Sequence, residues 1–224
     1  MLQSPFSLLR QFDEVLDVKL LIKEDQASND FDTSRITGAK NLVSLKQMHG
    51  KNIITAREPS SRLHEADGIF TEEKNLTITI RFADCQNFVL FAPKHKVAGV
   101  VHAGWRGLKS HILTAAFGHL KEGWGIEPKD VFVAAGPSLC AKCAEFTDPK
   151  IEAPELTSFV SGNCINLVQA AETELDAIGV PKNQRERILD CPKDMNEKYF
   201  SYRGGDREKV KDGFTNLLAV TIRK

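Results

Sequence analysis

The 224-residue chain has no excess of charge of either sign, with thirty Lys and Arg against thirty Asp and Glu. That balance excludes a nucleic-acid protein or a membrane-surface binder that works through bulk electrostatics. No run approaches 18 uninterrupted apolar residues, so no membrane-spanning helix is expected. The opening MLQSPFSLLRQFDEV has neither a basic n-region nor a continuous apolar stretch, so no secretory signal is expected. Glycine-rich phosphate loops of the P-loop or dinucleotide type are missing. H-x-E is missing too, and Leu139 rather than proline precedes Cys140, which excludes the zinc nucleobase-deaminase signature. Six histidines and no His-x-His cannot supply the about ten imidazoles of an ordinary multicopper oxidase. Five cysteines are an odd number in a chain too long to need disulfide staples. They predict a reducing, cytoplasmic setting in which each thiol is core, ligand or nucleophile.

What is present has ordinary globular texture. At 42% hydrophobic and 27% charged residues, the apolar content suffices for one sizeable core, and a single domain over 1–224 is expected. The first 45 residues are weakly patterned, and KEDQASNDFDTSR (23–35) reads as a polar loop. LTITIRF (76–82), FVLFAP (88–93) and VAGVVHAG (97–104) read as three short strands, at least two of them buried on both faces. GLKSHILTAAFGHLKEGWG (107–125) predicts a helix with Leu108, Ile112, Ala115, Ala116 and Leu120 on one face, stopped by Gly123 and Gly125. DVFVAAGP (130–137) predicts a strand ending in a Gly-Pro turn. INLVQAAETELDAIGV (165–180) predicts a second helix, with Val168, Ala171, Leu175 and Ile178 on its apolar face. FTNLLAVTIRK (214–224) reads as a closing strand, with a short helix as the alternative. Strands with two interspersed helices indicate an α+β or mixed α/β class.

Three segments place metal-competent side chains at the ends of these elements. QMHG (47–50) puts His49 in a turn, FADC (82–85) puts Asp84 and Cys85 between two strands, and VHAGWRG (101–107) puts His102 at a strand end before the turn AGWRG. A rigid sheet positions reactive groups while its loops admit substrate. Two imidazoles and a thiolate could make a three-ligand zinc site with a fourth position open. A lone cysteine between strands is more often core, and a histidine closing a strand often just binds backbone. Gaps of 36 and 17 residues do not by themselves bring His49, Cys85 and His102 together. Cys140-Ala-Lys-Cys143 has no second C-x-x-C and no preceding thioredoxin-like Trp, which weighs against a redox role, and replacing both cysteines by Ser is expected to leave zinc content nearly unchanged because other residues supply the candidate site. His64, His95, His111 and His119 read as surface residues.

The ordered strings QMHG, ADGIFT (66–71), ADCQNFVLFAP (83–93), VHAGWRG, GPSLCAKCAEF (136–146) and FSYRGG (200–205) resemble the YfiH-type family. Its members are described variously as laccase-domain, polyphenol oxidase or purine nucleoside phosphorylase proteins. The resemblance implies a single layered α+β domain of mixed sheets with outer helices. It implies a Zn²⁺ bound by the residues matching His49, Cys85 and His102. The implied activity is phosphorolysis of adenosine or inosine to free base and ribose 1-phosphate, with hydrolytic deamination of adenosine as a second candidate activity. The partners are then a small-molecule nucleoside and phosphate, not nucleic acid or membrane, and no oligomeric state is indicated. Cys85, His49, His102 and Asp84 are the candidate catalytic residues, and Asp84 is either a proton-transfer group or a support for the ligands. Arg106, Gln47 and Arg203 are the candidate substrate contacts. The chain departs from the family pattern at Gly204, where a second arginine is usual, and at Gly213-Phe214, where Gly-Arg is expected. Both departures weigh against anion binding by the C-terminal arginines. Two other classes stay open: a metal-free cysteine hydrolase with Cys85 as nucleophile and His102 or His49 as base, and a non-enzymatic zinc-stabilised binding module.

Overall fold

The computed structural model describes residues 1–223. One six-stranded sheet runs in the order β1 (Leu2–Gln3), β2 (Leu16–Leu21), β14 (Asn216–Ile222), β7 (Thr77–Phe82), β3 (Leu42–Lys46) and β5 (Ser60–Glu65). It is antiparallel through β7 and parallel from β7 to β5. The second runs β13 (Arg185–Arg187), β10 (Phe132–Ala135), β8 (Gln86–Ala92), β9 (Val97–Ala103), β6 (Gly68–Thr71) and β4 (Ile53–Thr55). Its three central pairings are antiparallel and its two edge pairings parallel. A small hairpin, β11 (Val160–Ser161) with β12 (Cys164–Ile165), stands apart from both.

Strand alternation explains the layers, because successive side chains point to opposite faces. In β8, Val89 and Phe91 join Ile78, Ile80 and Val220 in a core between the two sheets. Phe88 and Leu90 point the other way. They pack with Leu113, Ala116 and Phe117 of α3 (Ile112–Trp124) and with Ala171 and Leu175 of α5 (Leu167–Ile178). On the outer face of the first sheet, Leu21, Leu217 and Ala219 meet Ala27 and Ile36 beneath α1 (Asp30–Thr37). The short helices α2 (Trp105–Lys109), α4 (Pro149–Glu152) and α6 (Arg207–Lys211) complete the set. The result is a layered α+β fold of helix, sheet, sheet, helices. Every residue of β8 and β9 is buried, which is why the FVLFA and VAGVV segments within them read as unbroken apolar runs. Each fully buried Phe or Leu contributes about 1.5–3 kcal/mol, so these two strands tie both cores together and hold the turns at their ends rigidly. No helix among the described residues is long and apolar enough to cross a membrane.

Several expectations need correction. The stretch 23–35 is not one loop. Asn29 caps α1 by accepting the Asp32 N–H, and the helix ends on left-handed Gly38. Its buried residues are Thr33 and Thr37 rather than apolar side chains, so hydrophobic periodicity gave no signal. The helix expected over 107–125 is two helices, parted at Ser110 and left-handed His111. The first already begins inside the AGWRG segment, on Gly104. The second is capped from outside, where Glu174 of α5 accepts the Thr114 N–H at 2.8 Å. His119 is half-buried rather than superficial, bonded to Thr55 Oγ1 at 2.9 Å and stacked on Phe70. The closing strand is confirmed as β14, and Lys224 lies outside the described residues.

Candidate active site

The antiparallel register of β8 and β9 sets Asn87 opposite His102 and Gln86 opposite Ala103. Cys85, in the turn that enters β8, therefore lies beside the end of β9. The loop after β3 brings His49 to the same place. The ligating atoms of His49, Cys85 and His102 all lie within 4.8 Å of one another. The two imidazole rings meet edge to face, with centroids 4.8 Å apart. His49 (φ 59°) and Asp84 (φ 89°) are both in the left-handed region. That conformation costs about 1–2 kcal/mol for a residue with a Cβ, so the surroundings must impose it.

Asp67 imposes it at His49. This carboxylate is 0% exposed and accepts the main-chain N–H groups of Met48 (3.2 Å), His49 (2.9 Å) and Gly50 (2.7 Å). Its Oδ1 also meets His102 Nδ1 at 2.9 Å. One buried group thus shapes the His49 loop and orients the His102 ring, leaving the other ring nitrogen for Cys85 or a cation. Burial opposes the charge on Asp67, but the bonds from His102, Gly50 and His49 hold its pKa below the usual carboxylate value. Burial likewise pushes the Cys85 thiol up, and the charges and hydrogen bonds of His102 and His49 overcome it, pulling its pKa well down. His102 moves the opposite way, since Cys85 and Asp67 outweigh burial and favour its imidazolium. Both shifts run in the direction that favours a thiolate beside an imidazolium.

The donor set fits a zinc-type or copper-type cation. Two imidazoles and one thiolate are ligands of borderline softness, and three protein ligands leave a coordination position open. Gly104 closes one side of the cluster by backbone alone. A Cβ there would meet Cys85 Sγ and His49 Cδ2 at 3.2 Å and His102 Cε1 at 3.7 Å. Asp67→Asn puts a donor NH2 in place of one accepting oxygen, so it should loosen the His49 loop and the hold on His102 together. Cation affinity is then expected to fall about 10–100-fold, the usual effect of losing a carboxylate behind a metal-binding histidine. Chelator-competition titration checks this, and unchanged affinity would remove Asp67 from the site.

The cluster lies in a cleft of about 490 Å³, a volume suited to a small molecule. Gln47, Asp84, Arg106 and Arg203 border the same cleft, as do Arg81, Trp105 and Tyr202. All seven candidate residues from the sequence therefore come together. Their commitments differ. The Gln47 carboxamide pairs with the Arg81 backbone at both ends, 2.8 Å each way. Asp84 accepts the Ser201 hydroxyl at 2.6 Å and the Arg203 N–H at 2.8 Å, and burial raises its pKa despite those bonds. The Arg203 guanidinium donates to the Cys143 and Glu145 carbonyls. Arg106 is exposed, with its Cζ 4.2 Å from the centre of the Trp105 ring. Asp67 and Ser201 were missed by sequence reasoning. ADGIFT did contain Asp67, but an Asp-Gly before a strand reads equally well as a turn.

Comparison with known proteins fits this geometry. A segment of 121 residues, 54% of the chain, is 31% identical to purine nucleoside phosphorylase YlmD of Bacillus subtilis, of which it spans 44%. Over 189 residues, 77% of the chain, it is 30% identical to human purine nucleoside phosphorylase LACC1, of which it spans 43%. The chain thus spans less than half the length of these two relatives. The crystal structure of YlmD from Geobacillus stearothermophilus superposes with a TM-score of 0.81 at 20% identity, covering 98% of this chain and 94% of that one. The family profile described as "Multi-copper polyphenol oxidoreductase laccase" matches residues 15–216, and the chain belongs to that family.

Proposed function

We propose that the cleft binds a purine nucleoside together with phosphate and cleaves the glycosidic bond by phosphorolysis. The observation that carries this reading is that a metal-competent cluster and exposed Arg106 border one cleft of small-molecule size. The names of the relatives support it. The family's copper label finds less support, since His49 and His102 are the only histidines in a metal-competent group among the described residues.

In phosphorolysis a phosphate oxygen bonds to C1′ while the bond from C1′ to the base nitrogen breaks. The electron pair leaves with the purine, which takes up a proton. Arg106 would hold the phosphate through paired N–H donors and offset its charge. Trp105, under the Arg106 guanidinium, fixes where that charge sits. Asp67 keeps His102 in one ring orientation, and His102 and His49 lower the Cys85 pKa and so favour its thiolate. A zinc held by His49, Cys85 and His102 would supply Lewis-acid polarisation and, for deamination, an activated water. Both Asp84 oxygens already accept hydrogen bonds, so Asp84 serves as a positioning residue, fixing Ser201 and the backbone of Arg203. The arginine missing at Gly204 leaves Arg106 as the main phosphate contact.

One observation favours a second reading. Cys85, His102 and Asp67 form a nucleophile, a base and an orienting group in sequence, the arrangement of a cysteine hydrolase. Base release from inosine or adenosine, followed by chromatography with and without phosphate, separates the two. Phosphorolysis requires phosphate and stops when a chelator strips the protein. A cysteine hydrolase needs neither phosphate nor metal, and iodoacetamide alone stops it.

A further inference from the structure

Two segments unused by the cleft's chemistry meet behind its wall. The loop after β10 carries Cys140-Ala-Lys-Cys143, and the segment after β13 carries Cys191-Pro-Lys-Asp194. Their four ligating atoms, three sulfurs and a carboxylate oxygen, all lie within 4.8 Å of one another. Cys143 and Cys191 are buried, and all three cysteines are free of disulfides. Asp194 draws both thiols of the first pair together, accepting from Cys143 Sγ at 3.2 Å and from Cys140 Sγ at 3.6 Å. The Cys140 N–H in turn points at Cys191 Sγ from 3.4 Å, and the backbone N–H groups of Asp194 and Lys193 bear on the same sulfur. Backbone N–H groups aimed at a sulfur are the donors that a metal-bound sulfur accepts, and they fix where the Cys191 side chain sits.

We propose that Cys140, Cys143, Cys191 and Asp194 form a closed four-ligand site for a zinc-type cation, separate from the His49–Cys85–His102 cluster. Tetrahedral zinc, with sulfur at about 2.3 Å and carboxylate oxygen at about 2.0–2.2 Å, needs ligand atoms about 3.5–3.8 Å apart. The observed cluster meets that with small side-chain adjustments. Three thiolates select zinc over magnesium or calcium. A redox pair would need only two sulfurs and an activated thiol. Here a third sulfur and a shared carboxylate are present, with Asp194 bonded to both thiols of the first pair. The two thiol protons now directed at Asp194 and the Cys191 thiol proton, three in all, leave to solvent as the cation takes their place. The sequence shows no second C-x-x-C because the second pair, 51 residues on, ends in aspartate.

The site fastens the wall that carries Arg203. Its first pair leads into the Cys143 and Glu145 carbonyls that accept the Arg203 guanidinium. Just upstream, Leu139 borders the cleft and donates its N–H to the Asp84 carbonyl at 3.0 Å. Four closed ligands with no open position make this a staple rather than a second reactive centre.

The test is metal content after reducing purification with zinc present. Wild type should carry two zinc ions per chain, Cys85→Ala one, Cys191→Ser one, and the double variant none. Loaded with cobalt, the Cys85→Ala protein should keep a strong thiolate-to-metal charge-transfer band. In untouched wild type, Cys140, Cys143 and Cys191 should resist N-ethylmaleimide as a set until a chelator is added, while Cys164 reacts throughout. This last measurement does not depend on a variant folding. Complete zinc loss in Cys85→Ala, or labelling of the three cysteines at the rate of Cys164 in zinc-loaded protein, would overturn the proposal. Zinc retained in Cys85→Ala but lost in Cys191→Ser supports it, whatever the fate of the cleft cluster.

Discussion

Cys85→Ala is expected to lower phosphorolysis by roughly 10³-fold, the equivalent of several kcal/mol of lost charge stabilisation. The thiolate is one of only three donors in the cleft cluster, and two imidazoles alone hold a cation weakly. Stability should hardly change. Cys85 is only partly buried and sits in a turn, and alanine leaves the Asn87 carboxamide free to keep its bonds to the Pro137 and Cys85 carbonyls. Single-turnover kinetics beside metal content and thermal melting check this. An active Cys85→Ala protein with unchanged zinc in the cleft would remove Cys85 from both the metal and the nucleophile readings.

Arg106→Lys is the second large effect, and its selectivity matters more than its size. Lysine keeps the charge but lacks the planar fork that grips phosphate with two parallel N–H bonds. Phosphate-dependent cleavage should fall by roughly 10²-fold, the scale of losing one preorganised donor. Adenosine deamination, followed as ammonia release without phosphate, should fall much less. Equal loss of both would make Arg106 a nucleoside contact or a support for Trp105. Loss of neither would return it to a stem packed on the ring with its charge in water.

The strands that carry the site were legible because both their faces are buried, so LTITIRF, FVLFAP and VAGVVHAG needed no partner to be recognised. Elements with polar interiors were not. Helix α1 buries two threonines, β5 is largely exposed, and β4 has three half-buried residues. Their apolar pattern is too faint for periodicity to detect. At the site, residue types suggested His49, Cys85 and His102, but only the pairing of β8 with β9 and the bonds of Asp67 bring them together. Asp67 itself stayed hidden because three of its partners are backbone N–H groups 17–19 residues away, which leave no side-chain pattern, and the fourth, His102, lies 35 residues along the chain. The pair ending in Asp194 escaped for a related reason. One ligand changed from sulfur to oxygen is enough to break a sequence motif while leaving four donors in place.

Phosphorus NMR of the metal-loaded protein with inosine and inorganic phosphate measures the product that defines the proposed reaction. Ribose 1-phosphate should appear in equimolar amount with hypoxanthine, and both should vanish in Arg106→Lys at short times and in chelator-treated protein. Hypoxanthine formed with free ribose, at a rate independent of phosphate, would contradict phosphorolysis in this cleft.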